Sequence, residues 1–104
     1  DYKLGKYCVF LEELDEIISK LEIIDIKYID VIVIDEIGKM ELYSRKFQDY
    51  LNKIFSIEVA ILATIGLNLN HPIKDYILNL ENITIFNLNQ RNFHKTYLQV
   101  ISKI

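Results

Sequence analysis

Hydrophobic and polar positions follow two different rhythms along this chain, and the changes of rhythm mark its elements. Leu11, Leu14, Ile17, Ile18 and Leu21 recur at the i, i+3, i+4, i+7 spacing of an amphipathic helix, with Glu12, Glu13, Asp15, Glu16 and Lys20 between them. Solvation is the simplest reading of that charged side. Before it, Leu4-Gly5-Lys6-Tyr7-Cys8-Val9-Phe10 predicts a short strand within residues 3–10, entered through Gly5. Residues 22–27 read equally as a helix end or a connection. Residues 28–34 form the central strand, and within it Val31-Ile32-Val33-Ile34 has no polar alternation. Such a run predicts a strand buried on both faces, as in parallel sheets.

Ser44 stands where a helix N-cap is expected, and the helix running to about residue 55 would bury Phe47, Tyr50, Leu51 and Ile54. Residues 58–65 give a second apolar strand, ending at Thr64 and Gly66. A polar loop over 68–72 leads to Pro72, which suits the first turn of a helix continuing to residue 80. Residues 82–86 predict a further strand. From residue 89 a last helix places Phe93, Tyr97, Val100, Ile101 and Ile104 on one side. The order is strand–helix throughout, which predicts one α/β domain over residues 1–104, a parallel sheet with flanking helices and right-handed crossovers.

Composition narrows the function classes. The net charge is −3 with no basic run, so nucleic acid is not indicated as a partner. No apolar run reaches the ~20 residues that cross a bilayer, and no signal-peptide pattern is present, so no membrane is expected. Cys8 is the only cysteine, which rules out an intrachain disulfide and favours a cytoplasmic setting. Within Tyr-Cys-Val-Phe it reads as a small buried hydrophobe. His71 and His94 have no partner at zinc-ligand spacing and read as loop capping and helix packing. No Ser/His/Asp or Cys/His triad suggests itself.

The candidate chemistry lies at the end of the central strand. Asp35 and Glu36 follow the apolar run without a spacer, and Gly38 lets the backbone turn away. Ligands of open α/β sheets bind beyond the carboxyl ends of the strands, where this acidic pair stands. An apolar strand ending in Asp-Glu resembles a Walker B element. Read together, Gly5-Lys6-Tyr7-Cys8-Val9, then Val33-Ile34-Asp35-Glu36-Ile37-Gly38-Lys39-Met40-Glu41-Leu42 with Ser44 and Phe47, then Ala63-Thr64-Ile65, His71-Pro72 and Gln90-Arg91-Asn92 resemble the small P-loop nucleoside-triphosphatases of the thermophile-type, or cancer-related, group. The segments come in that family's order and span nearly the whole chain.

The resemblance implies a RecA-like P-loop fold and hydrolysis of a nucleoside triphosphate, ATP or GTP, to diphosphate and phosphate with magnesium (Mg2+). By it, Asp35 is the magnesium-side carboxylate, acting through coordinated water, and Glu36 positions or activates the attacking water. The pleat would send these neighbours in opposite directions, one toward metal and one toward the γ-phosphate. Thr64 would sense the γ-phosphate and Arg91 would reach phosphates or base. Glu41 is matched without an independent chemistry, being equally a carboxylate capping the next helix. Lys39 reads as a solvated surface residue.

The sequence holds three glycines, at 5, 38 and 66, and none opens the Gly-x-x-x-x-Gly-Lys-Ser/Thr loop that cradles phosphates in such enzymes. The expectation is therefore a C-terminal portion carrying the Walker B half. Alone it would fold marginally or self-associate, and would hydrolyse nothing unaided. A receiver-type signalling module, with Asp35 and Thr64 ending adjacent strands, is one alternative. It lacks the lysine that should follow residues 85–86. A catalytically inactive fragment or interaction domain is the other.

Overall fold

The computed structural model describes residues 2–87 and 93–103. Helix α1 (Tyr2–Ile23) leads through a 3-10 turn at Ile26–Tyr28 into strand β1 (Val31–Ile37). A second 3-10 turn, Glu41–Tyr43, precedes helix α2 (Arg45–Ile54). Strand β2 (Ala60–Ile65), helix α3 (Pro72–Leu78) and helix α4 (Phe93–Lys103) complete the order. The fold is α/β: β1 and β2 pair in parallel, and helices flank them.

Two elements differ from the sequence reading. Residues 3–10 are the opening of α1 and not a strand. The apolar positions 4, 7, 11, 14, 18 and 21 keep one helical period across both halves. Gly5 lowers helix propensity by only about 1 kcal/mol, so the longer period prevails. Cys8 lies exposed on this helix and is not a buried hydrophobe. Residues 83–87 form no strand, because no ladder partner meets them among the described residues. β-propensity depends on such a neighbour, and Ile83 instead packs its side chain against the core.

The core is built where helical and strand periods meet. Phe47, Tyr50, Leu51 and Ile54 of α2 are all buried, with Leu51 and Ile54 fully so. They pack with Ile18 of α1, Ile37 of β1, Leu42, and Ile73 and Ile77 of α3. Ser44 starts α2 by accepting the Phe47 N–H at 3.0 Å and donates its own hydroxyl hydrogen to Asp15 Oδ1 at 2.6 Å. One α1 carboxylate is thus tied to α2 and not merely solvated. Lys46 also donates to Ser19 Oγ, a second tie between α1 and α2.

The sheet is covered on one face. Ile32, Ile34, Ile61, Ala63 and Ile65 pack toward the core, whereas Val33 remains 63% exposed and Val31 and Leu62 stand beside it in the open. The apolar run was expected to be buried on both faces, and it is buried on one. No helix among the described residues is long and apolar enough to cross a membrane.

Candidate functional site

The paired residues run Val31 with Ala60, Ile32 with Ile61, Val33 with Leu62 and Ile34 with Ala63, then jump to Ile37 with Ile65. Three residues of β1 therefore span the distance covered by two of β2, a bulge centred on Asp35 and Glu36. Bulges interrupt the pleat and re-aim side chains. Here the exposed–covered alternation of β1 fails at this one place: Asp35 and Glu36 are both exposed, and Ile37 drops fully into the core. The two acids do not diverge to opposite faces by simple alternation, as an unbroken strand would require.

Because the strands are parallel, their carboxyl ends share one edge. Thr64 of β2 donates its hydroxyl hydrogen to Asp35 Oδ1 at 2.9 Å. The structure thus brings together two residues that are twenty-nine positions apart in sequence. Glu36 lies beside the turn that follows, its carboxylate close to Gly38 and near that of Glu41. Lys39 is exposed, as its sequence context suggested. Arg91 lies outside the described residues.

Two polar ties shape the rim and were not anticipated in detail. His71 accepts the Ile73 N–H through Nδ1 at 3.1 Å, capping α3, in keeping with a loop-capping role. Lys74 donates from Nζ to the carbonyls of Gly66 at 3.2 Å and Leu67 at 2.8 Å, which pins the loop leaving β2 two residues beyond Thr64. A lone lysine in the first turn of a short helix carries no sequence signal that distinguishes it from a surface residue. His94 sits within α4, and its side chain lies outside the described residues.

The donor set here is oxygen-only, which suits a hard cation such as magnesium. Among the described residues no group of three or more His, Cys, Asp or Glu side chains could hold a metal ion. A single carboxylate, one of whose oxygens is already occupied by Thr64, fits an ion carried in with phosphates and water. It does not fit an ion held by a full protein cage.

A sequence profile described as NTPase matches residues 1–101. The nucleoside-triphosphatase THEP1 of Thermotoga sp. (strain RQ2) is 41% identical over 102 residues, 97% of this chain and 58% of that protein. THEP1 of Thermotoga maritima is 40% identical over the same shares. THEP1 of Methanocaldococcus jannaschii is 38% identical over 84 residues, 77% of this chain and 49% of that protein. The chain spans between about half and three-fifths of the length of these relatives. No solved structure matches it significantly. A profile match across nearly every residue, with an acidic bulge at the carboxyl edge of a parallel sheet, places the chain in the NTPase family.

Proposed function

We propose that this chain serves magnesium-dependent hydrolysis of a nucleoside triphosphate, ATP or GTP, and supplies the acidic, Walker B side of the site. The observation that carries this reading is the Thr64–Asp35 hydrogen bond at the shared carboxyl edge of β1 and β2. It holds one oxygen of Asp35 and leaves the other for a cation's water shell. When bound, magnesium would neutralise charge on the phosphate oxygens. Asp35 would anchor the ion's water from the protein side, with Thr64 fixing the carboxylate. Glu36, exposed one residue on, would orient or deprotonate the attacking water. Arg91 is proposed as a further contact to the nucleotide. This reading leaves the triphosphate cradle to residues outside these 104, so the chain alone would be inactive.

The test is phosphate release by the full-length protein carrying this chain, with ATP and GTP, with and without magnesium. Glu36→Gln should lower turnover by at least a hundredfold while a fluorescent nucleotide still binds. No hydrolysis of any nucleoside triphosphate by the unaltered protein would overturn the proposal. So would stable phosphorylation of Asp35 by acetyl phosphate.

A further inference from the structure

The turn after β1 contains a buried glycine, Gly38, that stands between two carboxylates. Chains use glycine either where the backbone must be left-handed or where no Cβ can be fitted. Gly38 has no positive φ, which removes the first reason. What a Cβ on residue 38 would meet is the end of a flexible side chain: it would stand 2.7 Å from Glu41 Oε2, which would have to shift aside, and 3.4 Å from Glu36 Oε1. The place a side chain would take is filled by one carboxylate, with a second at its edge. Both oxygens lie around one point, close enough for each charge to act on the other.

The backbone that carries Glu41 is fixed by the turn. Leu42 is buried, its N–H donates to the Gly38 carbonyl at 3.1 Å, and its carbonyl accepts from Gln48 Nε2 at 2.5 Å. The Glu41 carbonyl accepts the Ser44 N–H at 3.0 Å, so the residue is joined to the cap of α2. Glu41 is half-buried, while Lys39 and Met40 before it are exposed.

We propose that Glu41 is a positioning residue for Glu36, and that Gly38 is the berth that lets it act. The fixed negative charge of Glu41 turns the Glu36 carboxylate toward the open edge where Asp35 and Thr64 lie. The inference rests on the reading of Glu36 as the water-orienting group. Its variants in the full-length protein are Glu41→Gln, which keeps the shape and removes the charge, and Gly38→Ala, which displaces the carboxylate. Each should lower kcat tenfold or more with KM for the nucleotide within twofold. Glu41→Gln added to Glu36→Gln should cost nothing further, because the second residue acts through the first. Full kcat in both single variants, or losses that multiply in the double variant, would overturn it. A readout independent of turnover is the carboxyl 13C resonance of Glu36. It should move in Glu41→Gln and Gly38→Ala but not in Lys39→Ala. An unmoved resonance refutes the positioning role whatever the activity, whereas an inactive unaltered protein refutes only the hydrolytic function.

Discussion

Ser44 is the single side chain on which the join between α1 and α2 most depends. It is 4% exposed, its Oγ caps α2 by accepting the Phe47 N–H at 3.0 Å, and its hydrogen goes to Asp15 Oδ1 at 2.6 Å. Ser44→Ala removes both. Loss of an N-cap costs about 1 kcal/mol. A hydrogen bond to a charged group contributes about 1.5–3 kcal/mol, and half-buried Asp15 recovers part of that from water. The sum is about 2–3 kcal/mol, large against the few kcal/mol by which small domains are stable. Urea denaturation of the unaltered and variant proteins, followed by far-UV circular dichroism, reads it as a shifted midpoint with unchanged slope. Asp15→Ala should lose only the shared hydrogen bond. The double variant should therefore fall short of the sum of the singles by about 1 kcal/mol or more. A loss below about 0.5 kcal/mol in Ser44→Ala, or strict additivity with Asp15→Ala, would refute the account of a cap coupled to α1.

Leu51 is fully buried at the centre of the α2 contacts, so Leu51→Ala should destabilise by about 2–5 kcal/mol, while exposed Asn52→Ala changes urea stability by less than about 0.5 kcal/mol. The Tyr50 phenol is pushed above its ordinary value of 10.0, by burial first and by the Glu22 charge second. Because the folded state favours the neutral phenol, its contribution to stability is full below pH 10 and is lost as pH rises through the raised folded value. Urea midpoints at pH 9 and pH 11 should therefore differ less in Tyr50→Phe than in the unaltered protein. Thr64→Val removes the donor to Asp35 at an exposed position. It should leave stability within about 1 kcal/mol and raise the magnesium concentration for half-maximal phosphate release severalfold.

Local chemistry made much of the helical part legible. Ser44 before an apolar stripe specified the start of α2 and all four of its buried residues, since cap and period are both written within a dozen residues. Pro72 after His71 marked the start of α3, though not which of its residues would be buried. Partnership between segments was less visible. Residues 3–10 and 82–86 have strand-like composition, yet a strand exists only through a ladder. One segment belongs to α1 and the other meets no ladder partner among the described residues. Apolar content also overstated burial of β1. β-branched residues suit a strand whether or not its second face is covered, so Val31 and Val33 could not reveal their exposure.

The candidate site divides along the same line. Asp35, Glu36 and Thr64 were legible as residue types at strand ends, and the parallel register brings Thr64 to Asp35. The direction of each acid was not legible, because one extra residue in β1 inverts every alternation beyond it. Without the bulge, Ile37 would fall on the exposed side and Glu36 toward the core. With it, Ile37 is wholly buried and both acids face solvent. Burial of Ile37 is therefore part of what holds the acids at the sheet edge: the apolar residue inserts beneath them and secures the irregular backbone above. Gly38 follows at the next position, where the Glu41 carboxylate occupies the space that a Cβ would take and would have to move aside for one. The tract from Asp35 to Glu41 thus works as one unit: a bulge that turns two acids outward, an isoleucine that anchors it, and a glycine that admits a third acid beside the second.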